Sequence, residues 1–229
     1  DPLTKAHRIT MESEKKILEE LIASDGDYVT TQKHRDSKEN PPLNFDLTTL
    51  QREANSTWSW TSRRTLSVAQ ELYDTHKLTT YPRTDSRHLP EDMIESIGKT
   101  IKQLGAQDFL SAHSERLTKN GLKNVSRNFN NAKVSDHYAI IPTGKLPQGN
   151  LSNDAQRLYE LICRQFLASF HSEAIWDVQT RTTSKSEHDF IKEVRILKTP
   201  GWREVKPKSN SIPEKWNNLS SNPADTNII

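Results

Sequence analysis

Apolar residues recur along this chain with two different periods. Near the start, Ile17, Leu18, Leu21 and Ile22 form one stripe. Thr10 precedes it as an N-cap residue and Asp25-Gly26 follows as a stop signal, so the segment predicts a helix. A β-prone run, Tyr28 to Gln32, comes next. The polar stretch Lys33 to Asn40, closed by Pro41-Pro42, reads as a connector. From about Leu47 to Phe170 the period is mostly helical. Leu66, Ala69, Leu72 and Tyr73 share one face, and Ile94, Ile97 and Ile101 share another behind Pro90 and the acidic pair Glu91-Asp92. Between His113 and Lys133 the pattern lapses into polar residues and predicts an irregular region. Asn153 then caps a helix whose Leu158, Leu161, Ile162 and Phe166 face inward.

After Phe170 the period changes. Ile175 to Thr182 and Phe190 to Leu197 are β-prone, and the polar turn Ser184 to His188 between them predicts a hairpin. Beyond Pro207 the periodicity fades, and Asn217 to Ile229 reads as a loose tail. No internal repeat is present. The layout is β-containing ends around a helical middle. It predicts an α+β fold in which a helical insert, residues 43–170, interrupts a β-rich domain made of residues 1–42 and 171–229.

Composition sharpens this picture. Hydrophobic residues make up 32% and mean hydropathy is −0.83, polar for a single compact core but natural for an open, surface-rich chain. Five Trp, five Tyr and six Phe argue against outright disorder. Thirty-two basic against 30 acidic residues leave a net charge of only +2, so any basic surface must be local. The single cysteine, Cys163, excludes an intramolecular disulfide. No run has the length of a membrane span and no secretion signal is visible, so the expected compartment is the cytoplasm, without membrane contact.

Chemistry concentrates in Thr80-Tyr81-Pro82-Arg83-Thr84-Asp85-Ser86-Arg87. Pro82 biases Tyr81 toward extended angles, and in an extended segment residues two apart share a side. A phenol and a guanidinium would then face one spot. That suits a phosphodiester, with Tyr81 as nucleophile and Arg83 on the non-bridging oxygens. The competing reading makes Tyr81 a packed tyrosine and pairs the arginines with Asp85 and Glu91. His137, in the block Ser135 to Thr143, is a second candidate, either as phosphate ligand or as a hydrogen-bonded structural histidine. Cations and rings interleave at Arg52, Trp58, Trp60, Arg63, Arg64 and again at Lys77, Tyr81, Arg83, Arg87. Such alternation suits single-stranded nucleic acid, and equally a solvated helix face with core Trp. There is no glycine-rich phosphate loop and no obvious acid/base pair to serve Tyr81, so the site is half complete on its own.

Four blocks in this order resemble the type IA DNA topoisomerases, within them the topoisomerase III branch. They are Pro41 to Asn55, Leu72 to Lys77 running into Thr80 to Pro90, Ser135 to Thr143, and Thr199 to Arg203. The resemblance implies that the helical part is the nucleophile-bearing domain III, inserted into the β-rich arch, domain II. It implies that Tyr81 attacks one DNA strand to give a 5′-phosphotyrosyl link, that Arg83 positions the scissile phosphate and that His137 contacts the phosphate region. A strand then passes and the break is resealed without ATP. Thr84, Asp85, Ser86, Arg87, Arg52, Arg63, Arg64 and Lys77 are the expected DNA contacts. Mg²⁺ would be held by a separate acidic domain that nothing in this chain matches. The chain would therefore be a central fragment, inactive alone, whose partners are single-stranded DNA, the rest of its polypeptide and a helicase. The alternative is a non-catalytic single-strand-binding module on the same scaffold. Three positions depart from the family's habit: Tyr138 stands where His is frequent, Ser59 replaces a frequent Gly, and Thr79 replaces a frequent aliphatic residue.

Overall fold

The computed structural model describes residues 12–24 and 26–206, so the expected cap at Thr10, the stop at Asp25 and the tail from Pro207 lie outside the described residues. The chain divides into two compact units. Among the described residues, one comprises 12–24, 26–37 and 177–196, and the other 38–176 and 197–206. The return segment is thus shared: residues 197–206 belong to the helical unit.

The first unit carries helix α1 (Glu12–Ala23) and most of a three-stranded sheet. Its strands are β1 (Val29–Glu39), β2 (Ala174–Lys185) and β3 (His188–Thr199), with β2 in the centre. The polar stretch expected to be a connector is most of β1. Polar cross-strand pairs hold it: Thr30 with Thr183 at 3.0 Å, Arg181 Nη2 donating to Gln32 at 3.0 Å, and His34 Nδ1 with Asp177 at 3.3 Å. These partners run in opposite order, so β1 and β2 are antiparallel. A strand paired through polar side chains shows no apolar alternation, which is why its sequence resembles a linker.

The β2–β3 hairpin turns at Ser186-Glu187, with Ser186 left-handed at φ 54°. Just before the turn, Lys185 is 2% exposed. Its ammonium lies 4.3 Å from the Tyr28 ring centroid, donates to Tyr28 Oη at 3.0 Å and to the carbonyls of Ile22 and Ser24. A buried cation is tolerable here because the carbonyl end of α1 is the negative end of a helix. On the apolar stripe of α1, Ile17 is 56% and Ile22 45% exposed.

The helical unit is built on α7 (Asn153–Ser169), whose Leu158, Tyr159, Ile162, Cys163 and Phe166 are fully buried. Its N-cap is Ser152, one residue earlier than expected, whose hydroxyl accepts from the Ala155 amide at 3.1 Å. Burial pushes the Cys163 thiol pKa up, so the lone cysteine is packing rather than a nucleophile. Helices α3 (Ser62–Asp74) and α5 (Asp108–Asn120) pack on α7, α2 (Leu47–Trp58) packs on α3, and α4 (Ile94–Leu104) on α5. A 3₁₀ turn, Glu91–Met93, leads into α4, and a short helix, α6 (Val125–Asn128), follows α5.

Helix α5 corrects the expectation of an irregular region after His113. Its buried stripe is Leu110, Ser114 and Leu117, and Ser114 Oγ donates to the Ile101 carbonyl on α4 at 2.6 Å. A serine occupies the central apolar position, so the helical period breaks on paper but not in space.

Two blocks of the sequence prove to be scaffolding. In the first, Asp46 and Thr49 form a reciprocal capping box on α2: the Thr49 amide donates to Asp46 Oδ1 at 2.6 Å and the Asp46 amide to Thr49 Oγ1 at 3.2 Å. Asn55 donates to the Trp60 carbonyl at 3.0 Å and ties the α2–α3 turn. In the last block, Arg203 grips Glu39 through two bonds of 2.8 Å while its guanidinium lies 4.9 Å from the Trp176 ring and 5.0 Å from the Trp202 ring. The indole N–H groups of Trp176 and Trp202 also donate to Glu39, at 2.8 and 3.2 Å. Gly201 is left-handed at φ 51°, and a Cβ there would meet the Glu173 carbonyl oxygen at 2.2 Å, so only glycine fits.

Two of the departures acquire physical meaning. Ser59 sits at the C-terminal end of α2 in the left-handed region, φ 58°, ψ 30°, where a Cβ is a penalty. Ser59→Gly is expected to raise stability by about 0.5–1 kcal/mol, read as a higher midpoint in urea unfolding. Thr79 is 1% exposed and its hydroxyl has no partner among the described residues. Thr79→Val keeps the shape and removes an unsatisfied polar group, so it is expected to stabilise by about 1–2 kcal/mol in the same measurement. A loss of stability in either variant would contradict the corresponding reading.

Candidate active site

The motif segment runs extended between flanking pieces of chain rather than in a sheet. The Thr80 amide donates to the Ile141 carbonyl at 2.9 Å, and the Thr143 amide to the Leu78 carbonyl at 2.9 Å. Further on, Leu47 N donates to Thr84 O at 3.0 Å, Ala139 N to His88 O at 3.0 Å, and Leu89 N to Asn128 O at 2.9 Å. Extended backbone sends alternate side chains to opposite sides. Pro82, Thr84 and Ser86 are buried, while Arg83 and Asp85 are exposed and Tyr81 and Arg87 half-buried. Tyr81 and Arg83 therefore open to solvent on one side, two residues apart.

The inward hydroxyls do structural work. Thr84 Oγ1 donates to the His137 carbonyl at 2.9 Å, and Ser86 Oγ donates to the Lys133 carbonyl at 2.8 Å. Thr80 Oγ1 donates to the Ala139 carbonyl at 2.9 Å and accepts from the Ile141 amide at 3.0 Å. Thr84 and Ser86, expected as DNA contacts, are 7% and 5% exposed. Their hydroxyls are spent on backbone carbonyls, so they do not face solvent. Asp85 is exposed, and its Oδ1 accepts from Ser135 Oγ at 2.6 Å. The Thr84 and Asp85 contacts thus hold the Ser135–His137 turn.

That turn delivers His137. Its ring centroid lies 4.4 Å from that of Tyr81, inclined by 49°. On the other flank Tyr73, from the last turn of α3, meets Tyr81 edge-on at 5.5 Å. One turn earlier on the same face, Gln70 with its amide oxygen toward Arg83 accepts from Nε at 3.3 Å and Nη2 at 3.2 Å. Lys77 is exposed with its ammonium 5.4 Å from the Tyr73 ring. Half-buried Tyr138 lies behind, its phenol pKa raised by burial first and by Tyr73 second. Neither arginine pairs with Asp85 or Glu91: Arg83 rests on Gln70, and Arg87 donates to the carbonyls of Asn44 at 3.0 Å and Leu43 at 3.3 Å. Burial lowers the Arg87 pKa, with Asp46 partly offsetting it. Arg87 is therefore a brace between chain segments, not an outward-facing cation.

The other basic-aromatic cluster, Arg52 to Arg64, comes apart. Trp60 is 3% exposed and belongs to the core, 4.8 Å from Trp58. Arg64 lies over Trp60 at 4.7 Å and binds Asp154 through bonds of 2.8 and 2.9 Å. Arg52 and Arg63 are exposed and carry no ion pair among the described residues. Gln70 and Tyr73 are the site residues that residue chemistry alone missed. Their place three apart on α3, eight to eleven residues before Tyr81, is the signal that was available.

His113 and His171, distant in sequence, meet with ring centroids 6.0 Å apart, and burial lowers the His171 pKa to about 4. This pair lies away from Tyr81 in the packing of α5 and α7. No helix among the described residues is long and apolar enough to cross a membrane.

Comparison with known proteins fits this geometry. The family model for DNA topoisomerase matches residues 2–227. The chain is 34% identical over 206 residues to DNA topoisomerase 3 of Shouchella clausii (strain KSM-K16), covering 89% of this chain and 28% of that protein. It is 32% identical over 210 residues to DNA topoisomerase 3 of Staphylococcus epidermidis (strain ATCC 12228 / FDA PCI 1200), covering 91% and 29%. It thus spans less than a third of the length of these relatives. The full-length topoisomerase I structure from Thermotoga maritima shares the fold, with a TM-score of 0.62 at 23% identity over 92% of this chain and 34% of that one. The sequence blocks, the α+β architecture and the match along almost the whole chain agree that it belongs to the type IA DNA topoisomerase family.

Proposed function

We propose that this chain is the nucleophile-bearing part of a topoisomerase that cuts and reseals one DNA strand. The observation that carries the reading is the shared solvent side of Tyr81 and Arg83, with the His137 ring 4.4 Å from Tyr81. In the proposed reaction Tyr81 Oη attacks the phosphorus of a single-stranded phosphodiester. The P–O bond to Tyr81 forms as the P–O3′ bond breaks, leaving a 5′-phosphotyrosyl link and a free 3′-hydroxyl. The phenol loses a proton and the leaving oxygen gains one. One ester replaces another, so resealing is the reverse step and needs no ATP.

Arg83 opens on the same side as Tyr81, its Nη1 and Nη2 edge is a fork that matches two phosphate oxygens, and it offsets charge on the five-coordinate phosphorus. Gln70 engages the Nε and Nη2 edge of the guanidinium and leaves its charge in place, because an amide carries no charge. His137 flanks Tyr81 from the turn held by Thr84 and Asp85, in reach of the same phosphate. The helical unit is the counterpart of domain III, and the sheet-bearing unit part of domain II. Among the described residues no three His, Cys, Asp or Glu side chains converge as a metal site. In this reading the Mg²⁺ of the complete enzyme is held by the rest of the polypeptide. A helicase and a cytoplasmic, chromosome-bound setting complete the proposal.

A covalent trap tests the nucleophile. A labelled single-stranded oligonucleotide is incubated with the chain joined to the remainder of its polypeptide, denatured and resolved on a gel. The expected result is a shifted band that Tyr81→Phe abolishes and Arg83→Ala slows by roughly 10²-fold. A band that survives Tyr81→Phe would remove Tyr81 from the role. The chain alone, given supercoiled DNA and Mg²⁺, is expected to leave the superhelical density unchanged. Relaxation by the chain alone would overturn its assignment as half of a split site.

A further inference from the structure

The segment just before the motif borders a groove that the reaction at Tyr81 does not use. It encloses about 840 Å³ within the helical unit. Its walls come from the end of α3, from Lys77-Leu78, from α4 and from the loop Gly144 to Gln148. Two lysines, Lys77 and Lys145, line it, and no acidic side chain does. Both are exposed, and neither has an ion pair among the described residues. Leu78, Ala106, Leu146 and Pro147 supply apolar surface between them, and Gln103 and Gln148 supply amides.

The two lysines are placed by one hydroxyl. Thr143 Oγ1 donates to the Lys77 carbonyl at 2.8 Å and accepts from the Lys145 amide at 3.4 Å. The Thr143 amide also binds the Leu78 carbonyl at 2.9 Å. These bonds pin Lys77 in the left-handed region, φ 55°, which a long side chain rarely adopts. Tyr159 Oη donates to the Lys145 carbonyl at 3.3 Å and fixes the other wall. Strained backbone held by surrounding bonds, four residues from Tyr81, is a feature that marks ligand-binding positions.

We propose that this groove seats the single-stranded DNA adjoining the nucleophile, with phosphates on Lys77 and Lys145 and bases against the apolar surface between them. Unpaired cations, apolar floor and amides match the three parts of a nucleotide: phosphate, base face and base edge. The groove reaches Tyr81 through Lys77, whose ammonium lies over Tyr73, whose ring in turn abuts Tyr81. The proposal rests on single-stranded DNA being the substrate and adds where one segment of it lies. Thr143, the last residue of the third sequence block, is then a positioning residue for both lysines.

The test is binding of a fluorescein-labelled oligothymidylate to this chain, measured by anisotropy over a range of salt. Four variants are compared, each checked for folding by circular dichroism. Lys77→Ala with Lys145→Ala is expected to reduce the salt slope by about 1.4, from roughly 0.7 per phosphate contact on a single strand, and to weaken binding about 10- to 30-fold near 0.1 M salt. Lys119→Ala with Lys123→Ala removes the same charge elsewhere on the unit and is expected to stay within about twofold of the parent chain. Thr143→Val is expected to weaken binding while Thr143→Ser restores it. Equal losses in both lysine pairs would reduce the effect to net charge and overturn the groove. Absence of binding by the parent chain would overturn it as well. Neither result touches the covalent trap at Tyr81, so the groove and the nucleophile stand or fall separately.

Discussion

Every polar group of a buried backbone needs a partner, and the segment from Leu78 to Leu89 meets that demand without a sheet. Its amides and carbonyls are met in turn by residues near Phe45, near Asn128 and from Ala139 to Thr143. Between these anchors the hydroxyls of Thr80, Thr84 and Ser86 supply the remaining bonds. Small hydroxyl residues on the inner side follow from this constraint. The outer side is left free for a phenol and a guanidinium. A motif that looks uniformly chemical is therefore two interleaved sets, one that fastens the segment and one that it presents.

The same division runs through the other blocks. Asp46, Thr49 and Asn55 cap and join helices, and Glu39, Trp176, Trp202 and Arg203 form one knot of stacked rings and paired charge. Removing one side of such a half-buried pair leaves a charge with poor access to water, which costs more than the pair itself contributes. Of the third block, the His137 end lies against the Tyr81 ring, and the Thr143 end fastens the two lysine segments.

The sequence made some of this legible. The two-residue spacing of Tyr81 and Arg83, together with the proline between them, was enough to put both on one side. The helical middle and the β2–β3 hairpin followed from apolar period alone. What the period hides is polar substitution at a buried place. Ser114 interrupted the stripe of α5, and β1 pairs through threonine, glutamine and histidine, so neither element showed its pattern. Charge was harder still. Arg64, Arg87 and Trp60 look available in sequence, but Asp154, two backbone carbonyls and the core claim them. Such claims come from residues far along the chain and have no local signature. Gln70 and Tyr73 likewise earn their place only through the α3 face that meets the motif.

The Glu39 knot has a further consequence for how this architecture could vary. The Trp176 indole reaches Glu39 at 2.8 Å, so the chain enters and leaves the helical region at one point. To the two strands that continue from that point, everything between is a single closed loop. The entropy of closing a loop grows only with the logarithm of its length. Helices could thus be lengthened, trimmed or exchanged inside the loop at little thermodynamic cost to the strands, provided the four residues at its neck are kept.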